Sequence, residues 1–123
     1  MNMLYRAKKN VKDKKWIYGY YAEQDGTGYI IPSSTVDDSK FNFELPQLIE
    51  IDTDTLCMSI GKADIHGEDV YENDFVYDKE SDETYHVVWD DNACGFIALD
   101  SDNNPCYMDD LSDDIEIRGT SIK

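Results

Sequence analysis

The residues of this chain with chemistry to offer are mostly carboxylates. The sequence holds 27 Asp and Glu against 11 Lys and Arg, a formal net charge of −16. Several of these acids stand at spacings that could bring them together. Asp78, Glu80 and Asp82 follow one another at every second position, as do Asp100 and Asp102. On a strand that spacing puts side chains on one face, about 6.6 Å apart. Asp109, Asp110, Asp113, Asp114 and Glu116 add a denser cluster. Such rows could present a docking surface to a basic protein, or imitate a line of nucleic-acid phosphates. A surface charged only for solubility would use the same residues.

Other chemistries find less support. The run Asp100-Ser101-Asp102-Asn103-Asn104 resembles the opening of a calcium loop, but Pro105 stands where the sharp turn wants Gly. Leu111 occupies the twelfth position, where a bidentate Glu belongs, so the run reads as a turn between strands. The adjacent pairs Asp90-Asp91, Asp109-Asp110 and Asp113-Asp114 read as solvated turn carboxylates, because strand neighbours face opposite sides. Cys57, Cys94 and Cys106 are widely spaced and show no metal-ligand pairing with His66 or His86, so they are expected as core thiols. A nucleophile would need a positioned base, and those two histidines are the only ones present. Gly26-Thr27-Gly28 is too short for a phosphate loop and leads into a strand. The expectation is a protein that is not an enzyme, with no catalytic, cofactor-binding or metal-binding residue.

The elements that must carry these residues are strands. Trp16-Ile17-Tyr18-Gly19-Tyr20-Tyr21 and Tyr29-Ile30-Ile31-Pro32 flank Asp25-Gly26, which predicts a hairpin over 15–32. Residues 33–46 read as a mobile connection in which Phe41 and Phe43 mark one short extended piece. Short strands are expected at 48–52 and 55–60, although Asp52 or Thr53 could equally cap a single helical turn between them. Further strands are expected near 69–78, 83–90, 94–99, 105–109 and 115–119, joined by polar turns. No segment carries a helical stripe over three turns. The fold class is all-β. The expected layout is an N-terminal β-hairpin lobe over 1–60, then a small barrel-like (SH3-like) antiparallel module over 61–123.

Charge is unevenly placed along that layout. The first 15 residues hold Arg6, Lys8, Lys9, Lys12, Lys14 and Lys15 against Asp13, a balance of +5, which leaves −21 for the remaining 108. So negative a body repels nucleic-acid backbones and anionic membranes, and neither is expected as a direct partner. The basic segment reads as a lysine-coated edge or a self-docking arm. No run approaches the roughly 18 apolar residues of a membrane span, and the N-terminus lacks the apolar segment of a signal peptide. A soluble, intracellular protein is expected.

Residues 60–76, IGKADIHGEDVYENDFV, add a resemblance. Gly61, Asp64, Gly67, Val70, Tyr71, Glu72, Asp74 and Val76 match, without a gap, the central motif of the YopX-like family of phage and prophage proteins. Ile60, Lys62 and Asn73 depart from its usual Thr, Leu and Gly, and Asn tolerates the left-handed backbone that the Gly position requires. Tyr5-Arg6-Ala7, Trp16 to Tyr21, Val87 to Asp90, Gly95-Phe96 and Ile115 to Gly119 resemble other strands of the family. The resemblance implies a β-rich protein encoded by a phage or integrated element and acting in the bacterial cytoplasm. It carries over no activity, cofactor or catalytic residue. Its motif residues are expected to be structural, with Asp64 and Gly67 in a turn, Tyr71 packed, and Glu72 to Asp74 turning into the next strand.

The functional expectation is an accessory protein that binds a basic surface of a host or phage protein through its acids, a host nucleic-acid-binding protein being one such partner. The alternative is a nucleic-acid mimic that inhibits a host defence nuclease or another DNA-binding protein.

Overall fold

The computed structural model describes residues 4–10, 14–32 and 48–122. The expected extended piece at Phe41 and Phe43 lies outside the described residues, as do Lys12 and Asp13 of the basic segment. The chain divides into two compact units, Met1–Met58 and Ser59–Lys123. The protein is all-β, built from antiparallel sheets with short 3-10 turns.

In the first unit the strands are β1 (Tyr5–Lys8), β2 (Trp16–Gln24), β3 (Thr27–Pro32) and β4 (Ile49–Glu50). They lie in the order β4-β3-β2-β1. The β2–β3 hairpin closes at Asp25 and Gly26, whose φ angles of 53° and 81° are the left-handed pair that a two-residue hairpin turn needs. A 3-10 turn, Thr53–Thr55, follows β4, and the Asp52 carboxylate caps it by accepting from Asp54 N at 3.1 Å. Of the two caps open from sequence, Asp52 is the one used. Ala7, Ile30 and Ile51 form the core of this unit, with Tyr5, Ile17 and Leu56 packed against them.

Strand β5 (Cys57–Ala63) leads into the second unit, where its later residues pair with β6 (Asp69–Tyr71). Five more strands follow: β7 (Asp74–Asp78), β8 (Glu83–Asp90), β9 (Gly95–Leu99), β10 (Pro105–Tyr107) and β11 (Ile115–Thr120). Strands β7 to β10 run as a meander. The chain then passes through a 3-10 turn, Met108–Asp110, and returns along the far side of β7, giving the order β10-β9-β8-β7-β11. The sheet is open. β10 pairs with β9 and β11 with β7, so the described residues form no closed barrel, and the barrel-like closure expected from strand count is corrected to an open sheet. Val70, Val76, Val87, Ala98, Leu111 and Ile115 make its core. Among the described residues no helix is long and apolar enough to cross a membrane.

The phase of β7 is unexpected for its composition. In Asp74-Phe75-Val76-Tyr77-Asp78 the buried face is Asp-Val-Asp, while Phe75 and Tyr77 are half-buried on the other. A buried carboxylate is tolerable only when hydrogen-bond donors converge on it. Those donors organise the candidate site.

Candidate functional site

The motif residues build a cap on the edge of the second sheet. Gly61 and Gly67 take φ values of 79° and 77°, which L side chains rarely adopt, and Gly67 N donates to Asp64 O at 3.0 Å to close a tight turn. Inside that turn the Asp64 carboxylate is buried. It accepts from His66 N (2.9 Å), Glu68 N (3.0 Å) and, across 53 positions of sequence, Ile117 N (3.2 Å). Ile65 N in turn donates to Ile115 O at 2.9 Å. The turn therefore satisfies backbone groups of the edge strand β11 that would otherwise invite another strand. Burial raises the Asp64 pKa, but the donors from Glu68, Ile117 and His66 outweigh it and hold the carboxyl below its ordinary value.

A second carboxylate, Asp74, is fully buried and accepts from Tyr71 N at 2.9 Å. Asn73 between them sits at φ 74°, the left-handed position expected of it, and its N–H donates to Val87 O at 2.7 Å. Tyr71 is buried and Glu72 half-buried.

The acidic residues singled out for partner binding separate into four groups. Asp78 leaves the surface: it is buried, accepting from Ser112 N (3.0 Å), Ser112 Oγ (2.5 Å) and Glu80 N (3.0 Å). Burial raises its pKa, and these donors more than reverse the effect. Glu116 is matched by cations, with Arg118 at 3.3 Å and Lys79 at 3.8 Å, and the His66 ring lies 3.7 Å away. Asp100 is half-buried and faces its own turn, accepting from the N–H groups of Asp102 and Asn104, each at 2.9 Å. The expected rows of strand carboxylates are therefore not formed. Asp78 ends β7 pointing inward, and Glu80 and Asp82 stand in the turn after it.

Glu80, Asp82, Asp102, Asp109, Asp110, Asp113 and Asp114 remain exposed. Asp82 accepts from the Tyr77 hydroxyl. Glu80 and Asp110, distant in sequence, line one shallow hollow of about 280 Å³ with Ser81 and Ser112. Asp109 and Asp113 line another, of about 460 Å³, together with Ile60, Phe96 and Met108. Lys62, half-buried, lies 3.9 Å from the fully exposed Asp113, and solvent screening at Asp113 leaves the pair little weight in stability. The apolar neighbours of Asp109 and Asp113 escaped sequence reasoning, since Ile60, Phe96 and Met108 are far apart in the chain.

His86 stacks on Phe75 with ring centroids 4.7 Å apart, and its Nε2 lies 3.1 Å from Ser121 Oγ. Cys94 is exposed in the β8–β9 turn at φ 51°, so its expected place in the core is corrected. About 13 Å of strand separates His86 from the start of that turn at Asp90. Cys57 is buried, and Cys106 is half-buried. The Cys106 thiol is pushed up by burial and then by Asp110, Asp100 and Asp78, which favours the protonated, less nucleophilic form. Among the described residues no group of three or more His, Cys, Asp or Glu is placed to hold a metal ion.

The strands that carry the resemblance in sequence are thus present, in order, from Tyr5 to Thr120. The family model of the YopX protein matches residues 4–121, nearly the whole chain. The chain belongs to the YopX family. Membership fits a protein of phage or prophage origin. No curated protein matches the chain. Within this YopX-family protein the motif of residues 61–76 shapes a turn, a strand pair and the cap on β11, while the exposed acids lie on other turns of the same unit.

Proposed function

We propose that this YopX-family protein is a non-enzymatic phage or prophage accessory factor, working in the bacterial cytoplasm by binding a basic surface of a host or phage protein. The observation that carries this reading is where the charge sits. Residues 59–123 hold 18 acidic against four basic residues, a balance of −14, whereas residues 1–58 hold nine against seven, a balance of −2. No Lys or Arg occurs between Lys79 and Arg118, and the exposed acids of that stretch stand on turns. A field of one sign speeds encounter with an oppositely charged partner and rejects like-charged ones.

The test is capture of partner from a bacterial lysate at low and high salt. It compares the natural chain with one carrying Asp109→Lys, Asp110→Lys, Asp113→Lys and Asp114→Lys. The reading expects a partner retained at low salt, released as salt screens the field, and lost on charge reversal. Retention that ignores both salt and reversal would overturn it. A captured protein that duplex DNA displaces would assign the surface to nucleic-acid mimicry.

A further inference from the structure

The larger hollow of the second unit has a floor and a rim of different chemistry. Ile60, Phe96 and Met108 are partly buried hydrophobics packed against the core, and they form the floor. Asp109 and Asp113 stand exposed at the rim, beside the half-buried Lys62. Trp89 extends the apolar surface. Its ring meets Phe96 edge-on at 5.2 Å, its indole N–H is fixed by the Asp91 carboxylate at 2.7 Å, and 45% of the residue is exposed. A volume of about 460 Å³ is within the range of sites that enclose a ligand group. Met108 brings an adaptable side chain of the kind found on surfaces that accept varied apolar anchors.

We propose that this groove is the docking site for a protein segment in which basic residues flank one aromatic or aliphatic anchor. The anchor occupies the Ile60–Phe96–Met108 floor, and the flanking cations meet Asp109 and Asp113. The inference rests on the acidic-surface reading above and narrows it to one place and one partner chemistry. Charge complementarity selects the occupant. The rim excludes an acidic segment or a nucleic-acid strand, and a purely cationic chain would leave the apolar floor unfilled.

Two synthetic peptides test it against the full chain by NMR amide shifts: alternating Lys and Gly with one central Phe, and the same peptide with Ser in place of Phe. The Phe peptide is expected to bind about tenfold more tightly, from the apolar area its ring buries. Its largest shifts should fall on Ile60, Phe96 and Met108, and Asp109→Lys with Asp113→Lys should weaken it while leaving the spectrum folded. Equal, salt-dependent binding of both peptides, or shifts centred on Glu80 and Asp82, would overturn the groove and leave the acidic-surface reading standing. If neither peptide binds at low salt, both readings fail. The comparison changes the peptide and not the floor residues, so it does not depend on a core variant that folds.

Discussion

Two stretches of the second unit, 64–78 and 100–114, are both rich in aspartate and use it in opposite ways. In the first, Asp64, Asp74 and Asp78 are buried, and each accepts at least one backbone N–H. In the second, Asp102, Asp109, Asp110, Asp113 and Asp114 are exposed on turns. Residue type does not distinguish them. What does is whether donors converge: a carboxylate is stable inside only where several N–H or O–H groups point at it. Net charge therefore overstates the surface available to a partner, because part of it serves the interior.

The comparison breaks first at the buried set. Replacing Asp64, Asp74 or Asp78 singly by Ala should each destabilise the protein by about 3 kcal/mol, the cost of leaving buried donors unsatisfied. Chemical denaturation measures this. Losses as small as those from substituting Asp102 would erase the distinction.

Acid should expose the same set. Asp64 and Asp78 are held below the ordinary carboxylate pKa of 3.8, so their stabilisation is fully present above that value. It is lost as pH falls through the lower values they have when folded. Unfolding midpoints measured downward from pH 5 should therefore drop, and the fall should be shallower in a chain carrying Asp64→Asn and Asp78→Asn, which starts less stable.

A smaller effect concerns the turn between the buried pair. Asn73→Val forces a β-branched residue into φ 74° and should cost about 2 kcal/mol, while Asn73→Gly should be near neutral. Calorimetry of the two variants reads the difference. Smallest of all is Lys62→Ala, whose partner Asp113 is fully exposed, which predicts a change of about 0.5 kcal/mol or less.

Much of the fold was legible in the sequence because turns announce themselves. Asp25-Gly26 placed the first hairpin, and the polar joints at 79–82, 91–93 and 100–104 separate β7, β8, β9 and β10 where expected. Several boundaries moved. The strand read over 48–52 shrinks to Ile49–Glu50, and the one read over 55–60 becomes Cys57–Ala63 because Thr53–Thr55 winds into a 3-10 turn. The one read over 69–78 breaks at Glu72-Asn73, and β10 ends at Tyr107 because Met108–Asp110 winds into a second such turn. The candidate site was less legible. In Asp74-Phe75-Val76-Tyr77-Asp78 the alternation does not say which face is inward. The deciding partners of Asp78 are on Ser112, 34 positions away. Glu116 likewise meets Lys79 and His66 only once β11 returns beside β7. Long-range pairing decides which acids remain outside, and local spacing does not encode it.

The most direct test of the division is partner capture by the chain with Asp109, Asp110, Asp113 and Asp114 reversed to Lys, its unfolding midpoint read on the same preparation. Surface substitutions of this kind change stability by about 0.5 kcal/mol or less each. The account predicts a fold as stable as the natural chain and a partner no longer retained at low salt. Undiminished capture by a folded, charge-reversed chain would contradict it.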